Sequence, residues 1–148
     1  MSMGTIGELA AMARGEASHA EDVCINGGGT DTRNNLDGQL FVAIRGARFD
    51  GHDHLEAAVK AGASAVLVEQ GTSVTRNVPA IVVPDTVAAL GLMAAAWRTS
   101  IRQLKVVAIT GTAGKTTTKD TLADICARER STVRSPRSFN NSIGVPLT

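Results

Sequence analysis

The stretch Val106-Val107-Ala108-Ile109-Thr110-Gly111-Thr112-Ala113-Gly114-Lys115-Thr116-Thr117 joins an apolar run to a glycine-rich turn and the start of a helix. Its first four residues are wholly apolar, which predicts a strand buried on both faces of a parallel sheet. Helical spacing predicts a helix over about 115–127 whose inward face carries Leu122, Ile125 and Cys126. The order of strand, turn and helix is the context in which a phosphate-binding loop occurs.

The residue types of this turn suit a phosphate group. Glycine lets the backbone curl so that consecutive N–H groups point at phosphate oxygens, and the helix N-terminus adds partial positive charge. Lys115 can reach the β- and γ-phosphates, and the Thr116 hydroxyl can coordinate a Mg²⁺ ion that bridges them. Ile109 stands where the general pattern has its first glycine, so this is a shorter G-x-x-G-K-T-T form. The alternative is a strand-to-helix turn with a chance Lys-Thr pair.

The preceding residues alternate between predicted strands and helices. Thr5 and Glu8 have the spacing of a capping box, which predicts a helix from there to Gly15. A second helix is predicted over about 54–61, and a third begins at Asp85 with an inward stripe of Val87, Leu90, Ala94 and Trp97. The predicted strands are 23–25, 39–44, 63–68, 80–83 and 131–133, and a glycine loop is predicted at 27–29.

This alternation predicts an α/β fold with mainly parallel strands. A break near 99–104 separates a small α/β domain, 1–99, from residues 104–148, which we expect to be the first strand, phosphate loop and helix of a doubly wound P-loop domain. The second part has about 45 residues, too few for a core of its own by the scaling of buried surface with size. We therefore expect the chain to be the N-terminal part of a longer protein.

Composition excludes several classes of function. The 148 residues carry a formal net charge of +1, and the late arginines have no aromatic residues between them, so no nucleic-acid site is predicted. The first residues lack a basic stretch followed by an apolar run, and no window approaches the roughly 18 apolar residues of a membrane span. Cys24 and Cys126 have no metal or redox spacing and are expected to be buried thiols. A cytoplasmic location is predicted.

Four segments resemble the Mur ligase family of cell-wall enzymes, in the order that the family has them. The first is Asp31-Thr32-Arg33, and the second is 38–46 with the following Asp50-Gly51-His52, similar to a stretch of the family's uridine-binding domain. The third is the G-x-x-G-K-T-T loop itself, and the fourth is Asn140-Asn141-Ser142-Ile143-Gly144-Val145-Pro146-Leu147-Thr148. The resemblance covers the chain from about Thr5 onward and implies an ATP-dependent amide ligase that acts through an acyl phosphate.

The resemblance also implies roles for single residues. ATP and Mg²⁺ are expected at Gly111, Thr112, Ala113, Gly114, Lys115, Thr116 and Thr117, with Lys115 as the catalytic cation and Thr116 as the metal ligand. Thr32 and Arg33 are expected near the UDP group of the substrate, and Asn140 and Asn141 in the cleft between phosphates and peptide. Lys119 and the fourth segment favour the member that adds D-alanyl-D-alanine to UDP-N-acetylmuramoyl-tripeptide. A monomer is expected.

Other interpretations remain open at this point. The parent could add a diamino acid to the UDP-muramoyl-dipeptide, or be a related folylpolyglutamate or cyanophycin synthetase, although the uridine-domain motifs argue against the last two. The chain could also be a non-catalytic module that holds a UDP-sugar, or an inert product. Taken alone, Asp31-Thr32 could be a turn closed by a side-chain hydrogen bond, and His52 a capping or exposed residue.

The isolated 148-residue chain is expected to form no amide bond, because the resemblance places the dipeptide-binding domain beyond Thr148. The measurement is a coupled assay for phosphate and amide product with UDP-muramoyl-tripeptide, D-alanyl-D-alanine, ATP and Mg²⁺. Amide product above the enzyme-free background would contradict the expectation.

Overall fold

Among the residues that the structure describes, the first hundred form seven short strands and three α-helices, and a fourth α-helix follows later in the chain. A computed structural model describes residues 2–136 and 141–148. The strands are β1 (Gly4–Thr5), β2 (Glu16–Ala17), β3 (Cys24–Ile25), β4 (Gly27–Gly29), β5 (Gln39–Val42), β6 (Ala65–Glu69) and β7 (Ala80–Val83). The helices are α1 (Ile6–Ala13), α2 (Leu55–Lys60), α3 (Thr86–Ser100) and α4 (Lys115–Cys126), and a 3₁₀ turn, Gly51–His54, precedes α2.

The central sheet is mainly parallel, as predicted. Its strand order is β2-β7-β6-β5-β4, in which β4 to β7 are parallel to their neighbours and only β2 is antiparallel. Strands β1 and β3 form a separate two-stranded antiparallel sheet. Because the four parallel strands point the same way, their carboxyl ends lie along one edge of the sheet, where α/β proteins bind ligands.

Side chains of the central strands alternate between two buried layers. Leu40, Val42, Leu67 and Ile81 lie in one cluster with the apolar faces of α1 and α3. Phe41, Val66 and Val68 lie in the other, with Ala58 of α2. Alternation is the normal consequence of the pleat, so a sheet covered on both faces needs strands that are apolar at every position. This requirement explains the unbroken apolar runs of β6 and β7.

Helix α1 begins as its sequence predicts. Thr5 is the N-cap, its Oγ1 accepts the Glu8 N–H at 3.3 Å, and the Glu8 carboxylate accepts the Thr5 N–H at 2.8 Å. Asp85 likewise caps α3 by accepting the N–H groups of Val87 and Ala88. These two caps fix where both helices of the same layer start, and both were predicted from short-range spacing alone.

Two predictions in this region are wrong in detail. The glycine run 27–29 is not a loop: it is the edge strand β4, because a parallel ladder uses backbone groups and glycine supplies them as well as any residue. The buried face of α3 is Thr86, Ala89, Leu90 and Met93, while Val87, Ala94 and Trp97 are only half-buried. Leu90 of the predicted stripe is buried as expected, and the buried set keeps helical spacing but is turned by about one residue from the prediction.

Residues after α3 are less packed than predicted. The segment 106–109 is extended but forms no ladder within the described residues, and Val106 and Val107 are 63% and 66% exposed. The predicted strand 131–133 also stays unpaired there, and Ile125 of α4 is 57% exposed. A strand requires a neighbour to accept its hydrogen bonds, and none of the described strands adjoins these residues. Helix α4 itself forms where it was predicted.

Both cysteines differ from expectation, since Cys24 is exposed and Cys126 is half-buried; each is a free thiol. In the described part of the chain, none of the helices combines the length and the apolar character needed to cross a bilayer.

Thr86 gives a test of the packing. Its side chain is fully buried, and among the described residues its hydroxyl has no hydrogen-bond partner. Thr86→Val keeps the shape and removes this unsatisfied group, so the free energy of unfolding should rise by about 1 kcal/mol. The control Thr86→Ser keeps the hydroxyl and loses a methyl group, which should lower the same quantity by about 1 kcal/mol. Urea unfolding measures both, and a destabilised Thr86→Val variant would show that the hydroxyl has a partner.

Candidate functional site

The glycine-rich loop before α4 has an open backbone conformation suited to an anion. Gly111 and Gly114 have positive φ angles of 151° and 77°, and Gly114 is the N-cap of α4. The first backbone hydrogen bond of the helix runs from the Thr118 N–H to the Gly114 carbonyl at 2.9 Å. The N–H groups of Lys115, Thr116 and Thr117 precede that bond, and among the described residues no side chain caps this end.

The loop fits a nucleotide phosphate on these observations. Three N–H groups at a helix N-terminus favour a negative charge. The Lys115 ammonium folds back over the loop, where it donates to the carbonyl oxygens of Gly111 at 2.5 Å and Thr112 at 3.4 Å. Thr116 is exposed in the first turn of α4, and a single hydroxyl is a normal protein contribution to Mg²⁺, which keeps waters and phosphate oxygens as its other ligands.

A second group of residues surrounds a cavity of about 200 Å³ at the carboxyl edge of the sheet. Thr30 follows the end of β4 and Ile44 follows the end of β5. The remaining lining residues are Gly46, Phe49, Gly51 and Ile143. Ligand pockets for drug-sized molecules are roughly 300–1,000 Å³, so this cavity can hold one ring system of a larger substrate.

The Asp31-Thr32-Arg33 segment leaves β4 beside Thr30. The Arg33 side chain donates two hydrogen bonds to the Asp31 carboxylate, from Nη2 to Oδ2 at 2.6 Å and from Nε to Oδ1 at 2.8 Å. The Arg33 N–H also donates to Asp31 Oδ1 at 3.0 Å, so the segment is the side-chain-closed turn that the sequence allowed. The hydrogen bond from the Arg33 side chain lowers the pKa of Asp31 to about 2. Arg33 is 87% exposed and retains N–H groups for an anionic ligand.

Asp50 and His52 form the best-connected polar group near the cavity. Asp50 accepts hydrogen bonds from Arg45 Nε at 2.8 Å, from the His52 N–H at 3.0 Å and from His52 Nδ1 at 2.6 Å. The His52 N–H, followed by the side chains of His52 and Arg45, holds the pKa of Asp50 well below its usual range. The His52 side chain is only 7% exposed, so it is neither an exposed residue nor a simple helix cap.

The fourth sequence segment lies against the first domain. Asn141 Oδ1 accepts the N–H groups of Ile143 at 3.2 Å and Gly144 at 2.7 Å, which closes a helical turn. Ile143 and Leu147 then pack against the core that contains α1 and α3. Asn140 lies outside the described residues. The structure therefore brings Ile143 of this segment to the cavity. Thr30 also lines the cavity, whereas Thr32 and Arg33, which follow it in the chain, are not among the lining residues.

Sequence reasoning did not single out Thr30 and Phe49, two of the six residues that line this cavity. Neither carries a catalytic group of its own, and each reads locally as a strand end or a turn. Phe49 is 55% exposed and stacks on His54, with ring centroids 4.5 Å apart. The signal that could have found them is position, since they follow the carboxyl ends of adjacent parallel strands.

Similarity to known proteins assigns the class. The model described as Mur ligase family, catalytic domain, matches residues 25–98, and the Mur ligase middle domain matches residues 109–148. The chain belongs to the Mur ligase family.

Its relatives narrow the class further. The UDP-N-acetylmuramoyl-tripeptide–D-alanyl-D-alanine ligase of Escherichia coli K12 is 38% identical over 144 residues, which is 97% of this chain and 31% of that enzyme. The same ligase of Bacillus subtilis 168 is 37% identical over 147 residues, 97% of this chain and 32% of that enzyme. The chain thus spans about a third of the length of the curated relatives it matches.

Solved structures share the fold. The UDP-N-acetylmuramoylalanyl-D-glutamyl-2,6-diaminopimelate–D-alanyl-D-alanyl ligase of Acinetobacter baumannii matches with a TM-score of 0.86 at 33% identity, covering 99% of this chain and 33% of that one. The MurF ligase of Thermotoga maritima, solved with ADP, matches with a TM-score of 0.67 at 32% identity, covering 82% of this chain and 28% of that one. The α/β class and the mainly parallel sheet are confirmed.

Gly114 offers a test of the phosphate loop. Its φ of 77° is left-handed, and an added Cβ would meet nothing within 4 Å, so Gly114→Ala changes the backbone preference without a clash. The left-handed conformation costs alanine about 1–2 kcal/mol, and we expect roughly tenfold weaker ADP binding by the full-length parent. Gly71 has a φ of 83° and equally open space, away from the loop. Gly71→Ala is therefore the matched control.

Calorimetric titration with ADP measures both variants. The Gly71→Ala variant should lose stability and keep its ADP affinity. If Gly114→Ala also keeps full ADP affinity, the loop conformation described above is not the one that binds nucleotide.

Proposed function

We propose that the chain is the N-terminal part of an ATP-dependent amide ligase that joins D-alanyl-D-alanine to UDP-N-acetylmuramoyl-tripeptide. The observation that carries this proposal is that two relatives named for that reaction are 38% and 37% identical to the chain over 97% of its length. A cytoplasmic location and a monomeric state remain predictions.

Within this proposal, residues 1–99 hold the UDP end of the substrate. The cavity at the ends of β4 and β5 is large enough for one ring and has an apolar wall with an exposed aromatic side chain, Phe49. Thr32 and Arg33 follow Thr30 on the same strand exit, which puts a hydroxyl and a guanidinium where the diphosphate would leave the cavity. A guanidinium suits that role because its planar N–H groups match phosphate oxygens.

Residues 104–148 hold ATP in the same proposal. The N–H groups of 111–117 cradle the phosphates, Lys115 neutralises charge on the γ-phosphoryl group, and Thr116 contributes a ligand to Mg²⁺. Lys115 needs only to exchange its two loop carbonyls for phosphate oxygens, since it already lies over the loop. Asn141 is assigned to the cleft between the two substrates, and Asn140 keeps the same role as a prediction because it lies outside the described residues.

The proposed reaction has two transfers. A carboxylate oxygen of the muramoyl peptide attacks the γ-phosphorus, and ADP leaves with the electron pair of the broken P–O bond. The amine of D-alanyl-D-alanine then attacks the acyl carbon, phosphate leaves, and the new amide loses one proton. The contribution of the described residues is to place the carboxylate and to stabilise charge on the transferring group, which are the main terms in phosphoryl transfer.

Lys115→Ala in the full-length parent tests the proposal. Phosphate release should require UDP-muramoyl-tripeptide, D-alanyl-D-alanine, ATP and Mg²⁺ together, and the variant should lose at least about 100-fold in kcat because a transition-state charge is no longer stabilised. Lys60→Ala removes an exposed lysine at the end of α2 and is the control, with unchanged activity expected.

Three results are distinguishable. Phosphate release that requires a different amino acid and a shorter UDP-linked peptide would support the family assignment and correct the proposed substrate. Nucleotide binding without any turnover would support the assignment of the phosphate loop and contradict the assignment of ligase activity. Full activity in Lys115→Ala contradicts the assigned role of that lysine.

A further inference from the structure

The cavity wall is mostly one short hairpin. Four of its six lining residues, Ile44, Gly46, Phe49 and Gly51, lie between the end of β5 and the 3₁₀ turn. The hairpin is closed by an Arg45–Asp50 bridge, by the Gly46 N–H on the Phe49 carbonyl at 2.7 Å and by the Gly51 N–H on the Ile44 carbonyl at 2.9 Å. The shape of the cavity therefore depends on what fixes this hairpin to the sheet.

The base of the hairpin fits closely on the strand end. A Cβ at Gly51 would lie 2.6 Å from the Ile44 nitrogen and 3.0 Å from the Ala43 Cα, so no larger residue can take that position without moving the backbone. This contact holds the hairpin at its root only. Its tip, with Gly46 and Phe49, needs a separate attachment, because Phe49 is 55% exposed and packs on a single ring.

Asp50 supplies that attachment from the side of the hairpin. One carboxylate oxygen binds Arg45 Nε at 2.8 Å, and the other binds His52 Nδ1 at 2.6 Å and the His52 N–H at 3.0 Å. The Asp50 carboxylate thus joins Arg45, on the first strand of the hairpin, to His52, in the turn that follows the hairpin. The three charge-assisted hydrogen bonds of the Asp50 carboxylate hold the hairpin strand that carries Arg45 at a fixed angle to the turn that carries His52.

The attachment continues into the next strand. Glu69, the last residue of β6, donates its N–H to His52 Nε2 at 3.0 Å, and its carboxylate lies 3.4 Å from Arg45 Nη1. Since Nε2 accepts that N–H, the proton of the neutral ring is on Nδ1, where it is donated to Asp50. The contacts through His52 and the contacts through Arg45 therefore both end on Glu69 of β6.

We propose that Asp50 is a positioning residue for the UDP-substrate cavity, acting through Arg45 and His52 to hold Gly46 and Phe49 against the ligand. This inference rests on the proposed function, because it assumes that the cavity receives part of the UDP substrate. Asp50 itself does not line the cavity. Its effect is on substrate affinity and leaves the ATP site, which is built from 111–117, unaltered.

The test uses the full-length parent enzyme, with KM measured separately for UDP-muramoyl-tripeptide and for ATP. Asp50→Asn keeps an acceptor oxygen for His52 but places an amide N–H group opposite Arg45. The hydrogen bond between residue 50 and Arg45 is therefore lost. KM for the UDP substrate should rise about tenfold, the effect of losing one charge-assisted hydrogen bond. KM for ATP should not change. Calorimetric binding of UDP alone should weaken in parallel.

A second variant and a control make the result specific. The Arg45 side chain is 61% exposed, so Arg45→Gln breaks the same hydrogen bond without disturbing the core, and it should raise the same KM. Asp53→Asn removes an equal charge from an exposed residue of the same 3₁₀ turn and should leave both KM values unchanged.

Each outcome decides the question. A rise in the UDP-substrate KM in both Asp50→Asn and Arg45→Gln supports the proposal. An unchanged KM in folded Asp50→Asn overturns it, as does an equal loss at both substrates with a lower Tm, because that pattern marks general destabilisation. A higher UDP-substrate KM in Arg45→Gln alone would indicate that Arg45 contacts the substrate directly, and this result would also overturn the proposal. A wild-type enzyme that neither binds UDP nor uses the UDP substrate would refute the proposed function instead.

Discussion

The pairing of β5, β6 and β7 is the constraint on which the other features depend. These strands are apolar at nearly every position because both faces of the sheet are covered, and their parallel direction gathers three carboxyl ends at one edge. Five of the six residues that line the cavity follow β4 or β5 at this edge, and the sixth, Ile143, comes from the segment 141–148. Loss of register by one residue would exchange the two buried layers, and it would also move the hairpin that follows β5 away from Glu69.

Local signals predicted the frame of this domain well. The capping box at Thr5 and the cap at Asp85 were correct because each depends on neighbours within a few residues, and the strand 80–83 was correct because its residues are apolar without a break. The glycine strand β4 could not be predicted, since it carries no side-chain pattern and pairs through backbone bonds with residues twelve positions away in the chain. The inward face of α3 was displaced by about one residue, because helical spacing defines a stripe but does not decide which of two neighbouring stripes faces the sheet; Leu90 belongs to both.

The candidate site divides in the same way. The phosphate loop was visible as a pattern because its function depends on consecutive backbone N–H groups, which only a fixed order of glycines and a following helix can present. The cavity was only partly visible. Ile44, Gly46, Gly51 and Ile143 lie in segments that the family resemblance picked out, but their convergence joins residues more than ninety positions apart in the chain. The role of His52 stayed open for a related reason: its Nδ1 partner, Asp50, is two residues away, whereas its Nε2 partner, the Glu69 N–H, lies on another strand.

Ile143 belongs in sequence to the segment that follows the nucleotide loop, yet it forms part of the wall of the cavity in the first domain. Thermodynamic linkage then applies in both directions. A ligand that gains contact with Ile143 favours the docked state of 141–148, and docking of that turn increases affinity for the ligand by the same factor. For a ligand that contacts Ile143, occupancy of the cavity and docking of residues 141–148 are then one linked equilibrium.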